Sequence, residues 1–350
     1  MEYGLSFLPD IVEDDYSAVE YFQNALTLSQ FADEAGFKTI KMTEHYLHSY
    51  GGYCPSPLMF LASVAAITTN IRLMTGCILP VFHHPLQIAA NSSMLDAISK
   101  GRLDVGFARA YLPYEFSAFE IDMDESRDKY QETIAAVKKL WTEKNVSVAS
   151  KFFNFTKANS LPKPTQYPHP PLWGAAVNSR QSFAWLGEQG FNLLVTPPLT
   201  GLEDLAAKLD IYREAFTPND VNKIPQIALS LPLLITKNQD EAECEGDKYL
   251  SEYIRVWADA ADSWNNTAST NYPGYSGMSY ALRQNNPAHM RASTQAIIGT
   301  PDIVIDKIKY IANLTGVNQI LWQIDFGGQK LKSMMTTLSL FINNVLPNLK

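Results

Sequence analysis

The stretch IRLMTGCILPVFHHPLQIAANSSMLDAISKGRLDVGFA, residues 71–108, decides the fold. Ile71–Cys77 reads as a buried strand, Pro85–Ser99 as a helix, and Arg102–Ala108 as a second strand. Strand, helix, strand in that order is the repeating unit of a parallel sheet with helices outside it. Upstream, Tyr3–Phe7 is strand-like. Residues 17–35 carry Val19, Phe22, Ala25, Leu26, Leu28 and Phe31 at helical spacing, with Gly36 at the C-terminal cap. Phe37–Thr43 returns to extended chain, and Pro57 opens a helix over Pro57–Thr69.

Downstream the alternation continues. Helices are expected over Asp124–Trp141, Gln181–Glu188, Leu202–Ala215, 239–261, 302–314 and Leu331–Leu346. Strands are expected at Leu172–Val177, Phe191–Val195, Ile227–Thr236 and Gln319–Ile324. Eight strands, nearly all followed by helices, favour an α/β (β/α)8 TIM-like barrel with insertions over an open sheet. No linker or short repeat divides the chain, so residues 1–350 read as one domain. Two segments break the rhythm. Residues 144–171, with Pro162, Pro164, Pro168, Pro170 and Pro171, read as an extended excursion. Residues 262–300, polar and rich in Asn, Ser, Tyr and Gly, read as a mobile lid over the barrel mouth.

Composition narrows the function classes. Of 350 residues 46% are apolar and 18% charged, too apolar for a disordered chain. Lys+Arg 28 against Asp+Glu 36 gives −8, which argues against phosphate neutralisation on nucleic acid. No apolar run reaches 18 residues, so no membrane span is expected. Three scattered cysteines and an N-terminus without a basic or apolar leader region point to a cytoplasmic location.

Ligands bind a barrel of this kind at the C-terminal strand ends. Those ends carry Leu8-Pro9, Thr43-Glu44-His45-Tyr46, Thr75-Gly76-Cys77, Ala108-Arg109-Ala110-Tyr111, Val177-Asn178-Ser179, Thr196-Pro197-Pro198 and Trp322-Gln323-Ile324-Asp325. Arg109 beside two alanines can reach an anion, or else pair with Glu115 or Glu120. Asn178, Ser179 and Ser182 lie where a strand turns into a helix, which suits a phosphate or plain N-capping. His45 is a base or donor in the pocket, or a residue satisfied in the barrel wall, as is Glu44. His83-His84 does not make a metal pair. Cys77 reads as a small buried hydrophobe rather than a nucleophile. No P-loop, GxSxG or strand-borne GxGxxG is present.

At these residues the chain resembles the bacterial luciferase-like flavin monooxygenase family, almost end to end. The matching stretches are ADEAGF (32–37), TEH (43–45), IRLMTG (71–76), HHP (83–85) and MLDAISKGRLDVGFAR (94–109). They continue through EFSAF (115–119), DMDESR (122–127), PKPTQ (162–166), PHPP (168–171) and GTP (299–301). The resemblance implies FMN at the barrel mouth. Arg109, with the backbone of Ala110 and Tyr111, would face the flavin phosphate, completed by Asn178, Ser179 and Ser182. Gly76–Cys77 matches a place where the family often has a bulge or a non-prolyl cis peptide under the ring. His45 matches the histidine beside the reactive ring, with Glu44 next to it. Ala108, Ala110 and Glu120 stand where the family usually has glycine, or at Ala108 the reactive cysteine of true luciferases, so light emission is not implied.

The implied chemistry is a two-component monooxygenase. Reduced FMN comes from a separate reductase, O2 adds to give a C4a-peroxide, and oxygen passes to a hydrophobic organic substrate by hydroxylation or Baeyer–Villiger insertion. Tyr46, Phe82, Tyr111 and Trp322 are the expected apolar lining. The resemblance also implies a homodimer packed through helices 57–69 and 85–99. The alternatives are a deazaflavin-dependent oxidoreductase on the same barrel, a non-catalytic flavin-binding protein and a sugar-phosphate barrel enzyme.

Overall fold

The computed structural model describes residues 1–12, 16–197 and 201–349. Eight parallel strands form the centre: β1 (Glu2–Phe7), β2 (Thr39–Met42), β3 (Arg72–Thr75), β4 (Leu103–Phe107), β5 (Leu172–Ala175), β6 (Asn192–Val195), β7 (Ile227–Ile235) and β8 (Gln319–Gln323). They run in the order β7–β8–β1–β2–β3–β4–β5–β6, and β6 pairs back onto β7, closing the barrel. All eight expected strands are present. Strands buried on both faces read as near-continuous apolar runs, and β7, IALSLPLLI, is buried at every position.

Helices wrap the outside because each strand needs a crossover to reach its parallel neighbour. Helix Ala18–Glu34 starts at Ser17, whose side chain accepts from the Glu20 amide at 3.2 Å, and is followed by Gly36 at φ +83°. Helix Pro57–Ile67 ends against Arg102, whose guanidinium donates to the carbonyls of Ala65, Thr68 and Ile71. That single side chain satisfies carbonyls a helix end otherwise leaves open.

Inside the barrel, side chains alternate in and out with the strand period of two. The N-terminal end is closed by the bidentate pair Arg72–Asp104, at 2.6 and 3.0 Å, with the Trp173 indole N–H on the same carboxylate. Backbones approach closely where glycine permits. A Cβ on Gly106 would lie 2.2 Å from the Thr75 carbonyl oxygen.

Three expectations are corrected. Residues 144–171 are not simply extended: Val146–Ala149 and Asn154–Ala158 form an antiparallel hairpin before the proline-rich stretch. Residues 262–300 are not an irregular loop. They hold helices Met278–Gln284 and Pro287–Ala292 and a short strand, Ile297–Gly299, which pairs with the outer half of β7. Trp322 does not line the mouth. The alternation along β8 turns it outward, where it stacks on Tyr3 at 6.2 Å and meets Phe341 edge-on, wholly buried. Pro198 lies outside the described residues.

Candidate active site

The loop after β2 carries Glu44, His45 and Tyr46, and the loop after β4 carries Arg109 to Ala118. Glu115, on the short helix Pro113–Ala118, joins the two loops. Its Oε1 lies 3.0 Å from His45 Nδ1 and accepts the Tyr46 amide at 2.9 Å. His45 is 6% exposed and Glu115 fully buried. With Nδ1 held by an acid, Nε2 is the nitrogen left to meet a bound molecule; among the described residues it has no hydrogen-bond partner. The imidazole sits against Tyr50 and Tyr111, and Tyr111 accepts a hydrogen bond from the Trp257 indole at 3.0 Å. Burial pushes the Tyr50 and Tyr111 phenols well up, so both stay protonated.

Glu44 faces a different group. Its Oε1 accepts from Tyr46 Oη at 2.8 Å and lies 2.7 Å from His83 Nε2, while Oε2 accepts the Leu79 amide at 3.4 Å. It fastens the loop after β3 to the loop after β2. His84 accepts the Leu86 amide at 3.2 Å and caps helix Pro85–Ile98. No cluster suited to a metal ion occurs among the described residues.

Arg109 is half-buried and has no carboxylate partner within 4 Å among the described residues. Its Nη2 donates to the Asn271 carbonyl at 2.8 Å, and its guanidinium lies 4.1 Å over the Tyr272 ring. Glu115, a possible partner from sequence spacing, is taken by His45 instead. Arg127 is close enough that Arg109, after burial, lowers its pKa. Among the described residues neither guanidinium has a carboxylate within 4 Å, and two such cations near one another attract an anion. Ala110, at φ +65°, and Glu120, at φ +55°, hold the left-handed conformation that glycine adopts without strain. The Ala110 carbonyl accepts from Tyr272 Oη at 2.9 Å. Tyr111 follows in the same loop.

β4 and β5 are neighbours in the barrel, so the loop bearing Arg109 and the turn bearing Asn178, Ser179 and Ser182 leave the same end side by side. Ser179 caps helix Arg180–Glu188, accepting the Ser182 amide at 3.3 Å, and Asn178 and Ser179 are exposed. The Gly76–Cys77 peptide is cis. Cys77 is buried and its thiol is pushed up to about 12 by burial, so it is an inert small side chain. A basic rim, an acid-held imidazole and an aromatic wall thus gather at the C-terminal end of the closed barrel.

Sequence reasoning missed three groups here. Spacing offers Glu115 only as a partner for Arg109, because 70 positions separate it from His45. Arg127 lay inside a matching stretch without an assigned role. Lys41, in β2, is a lone basic residue in an apolar strand, and that is a signal a reader can see.

The model of the luciferase-like monooxygenase family matches residues 1–319. The oxygenase component of the flavin-dependent trigonelline monooxygenase of Acinetobacter baylyi is 26% identical over 99% of this chain and 95% of its own. A monooxygenase structure from Streptomyces bottropensis superposes with a TM-score of 0.85 at 34% identity, covering 100% of both chains. The oxygenating constituent of 3,6-diketocamphane monooxygenase from Pseudomonas putida, solved with FMN, superposes at 0.80 with 20% identity over 100% of this chain and 99% of its own. An F420-dependent secondary alcohol dehydrogenase shares the fold at 0.74 and 15% identity, over 100% of this chain and 99% of its own. The chain belongs to the luciferase-like, flavin-dependent monooxygenases. It is an oxidoreductase enzyme built on their TIM-like barrel.

Proposed function

We propose that this protein is the oxygenase of a two-component system, using reduced FMN delivered by a separate flavin reductase, and O2, to oxygenate a hydrophobic organic substrate in the cytoplasm. The observation that carries the FMN reading is Arg109: a half-buried guanidinium with no acid partner among the described residues, beside a second guanidinium and an exposed helix N-terminus. That donor set suits a phosphate monoester. Arg109 and Arg127 would hold the phosphate, with the backbone at Ala110 and Tyr111 and the turn of Asn178, Ser179 and Ser182 completing the site. The Gly76–Cys77 segment would help hold the flavin ring. Reduced FMN, when bound, supplies the two electrons that activate O2.

The chain's own residues do the rest. His45, aligned through Nδ1 by Glu115, holds or moves a proton at Nε2 beside the reacting oxygen. Glu44, through Tyr46 and His83, keeps the loop carrying His45 in place. Tyr46, Phe82, Phe116 and Phe119 pack on one another, and Tyr50 stacks on Trp257 at 5.9 Å. These walls exclude water and accept an apolar substrate. Residues 262–300 act as the lid, through Asn271 on Arg109 and Tyr272 on Ala110. Exposed Met59, Ile67, Met94 and Ile98 on helices Pro57–Ile67 and Pro85–Ile98 form the homodimer face, and sedimentation tests it.

The test is anaerobic titration with reduced FMN and with reduced F420, followed by admission of O2 and a ketone or aldehyde panel. FMN binding with substrate-dependent O2 uptake supports the proposal. Binding of F420 alone assigns the chain to deazaflavin chemistry, which the shared fold of the F420-dependent dehydrogenase keeps as the second reading. FMN binding without turnover would leave a carrier.

A further inference from the structure

Among the described residues, two cations face into the barrel at different depths, Arg72 and Lys41, and they differ in one respect. Arg72, near the N-terminal end, has its acid in Asp104. Lys41, nearer the mouth, has none among the described residues. Its Nζ donates to Ser6 Oγ at 2.9 Å and to Thr43 Oγ1 at 3.4 Å, both neutral hydroxyls. An ammonium has three N–H donors, so one is left over. Lys41 is only 8% exposed, and burial lowers its pKa from the ordinary value. Asp325 senses it electrostatically but makes no contact with it within 4 Å; Asp325 Oδ2 accepts from the Leu8 amide at 3.0 Å and from Tyr21 Oη at 2.8 Å, while its Oδ1 has no partner among the described residues. A cation kept in such a place without a counter-ion costs several kcal/mol. As a structural plug it is a poor choice, because an apolar side chain of the same length fills the same space.

A second donor stands in the same layer. In the register of the strands Gln323 is opposite Ser6, and Ser6 is opposite Lys41, so the three face the interior side by side. Gln323 is 6% exposed and its Nε2 has no hydrogen-bond partner among the described residues. Buried amide N–H groups are almost always paired. The lysine stem is fixed as well. It runs under Gly76, where a Cβ would fall 2.2 Å from Lys41 Cγ and Cε. The ammonium is thereby directed toward Thr43, one inward position closer to the mouth.

We propose that Lys41 and Gln323 form an oxyanion-binding subsite in the floor of the mouth, which takes a delocalised negative oxygen of the molecule lying above it. Two molecules offer that chemistry: an acidic organic substrate, through its carboxylate, and reduced flavin, through its anionic pyrimidine carbonyl. The second source rests on the FMN reading above; the first does not.

The experiment compares the full-length protein with Lys41→Met, Lys41→Gln and Gln323→Leu. Sodium benzoate, a planar carboxylate probe, is titrated by calorimetry. The midpoint potential of bound FMN is measured by spectroelectrochemistry. If a carboxylate is the ligand, benzoate binds the wild type and Lys41→Met weakens it at least tenfold, with a smaller loss in Gln323→Leu. If flavin is the ligand, Lys41→Met weakens reduced FMN at least tenfold relative to oxidised FMN, a fall of ~30 mV for a two-electron couple. Lys41→Gln, which keeps a donor and loses the charge, shows the same effect in milder form and stands in should the methionine variant misfold. A wild type that binds no FMN refutes the FMN reading while the benzoate arm still decides the subsite. Benzoate affinity within twofold of wild type together with an FMN potential within ~9 mV of it in the Lys41 variants, or a wild type that binds neither probe, would overturn the subsite.

Discussion

His45 Nδ1 and Glu115 Oε1 lie 3.0 Å apart, an imidazole on the loop after β2 oriented by a buried acid on the loop after β4. The acid fixes which nitrogen is free, as the proton role proposed for His45 requires. His45→Ala should lower single-turnover oxygenation by about 10²–10⁴. Glu115→Gln keeps the shape and loses the charge, so it should cost less than His45→Ala yet clearly more than nothing. Stopped-flow measurement with FMN pre-bound checks both. Rates equal to wild type in His45→Ala would remove the proton role.

Residues 269–271 are tied down by one carboxylate. Asp124 accepts from the Thr270 amide at 3.0 Å and from the Thr270 hydroxyl at 3.1 Å, and Asn271 beside it donates toward the same oxygen at 3.4 Å. Asp124→Ala should release the segment that sits on Arg109. Amide hydrogen exchange over 266–276 should speed up in the variant, while exchange in β1 and β8 stays as it was. Unchanged exchange would show that the aromatic packing of Trp264, Tyr272 and Tyr275 alone holds the segment.

Asp325 and Asp10 form a buried carboxyl pair between the ends of β8 and β1. Burial first, then mutual repulsion, holds Asp10 well above the ordinary carboxylate range. Asp325 is raised from 3.8 to about 6, chiefly by burial. The folded protein therefore keeps its proton more tightly than the unfolded chain does. Stability is full below the unfolded value and falls as pH rises through about 6, by up to about 3 kcal/mol from Asp325. Asp325→Asn mimics the protonated acid. It should flatten the decline between pH 4 and 6 and be at least as stable as wild type at pH 7. Urea unfolding at several pH values measures it; an unchanged slope would contradict the assignment.

Much of this molecule was legible in its residues. The β-α alternation read from 71–108 outward yields all eight strands because parallel strands buried on both faces must be short apolar runs between helices. Gly36, Pro57 and Pro85 mark helix ends for local reasons that need no tertiary knowledge. What stayed hidden is long-range pairing. Glu115 meets His45 across 70 positions, and Arg109 rests on Tyr272 only because residues 262–300 fold back. Trp322 was misplaced since an aromatic at a strand end points in or out by a single step of register. Lys41 and Gln323 are each unremarkable alone; only the register through Ser6 sets them side by side.

FMN binding as proposed depends on Arg109 gripping the phosphate. The direct measurement is the dissociation constant of FMN against riboflavin, which lacks the phosphate, for wild type and Arg109→Ala. A charge-assisted contact of about 1.5–3 kcal/mol predicts that wild type prefers FMN by at least about tenfold and that Arg109→Ala largely erases the preference. Equal affinity of wild type for the two flavins, or a preference that survives Arg109→Ala intact, would contradict it.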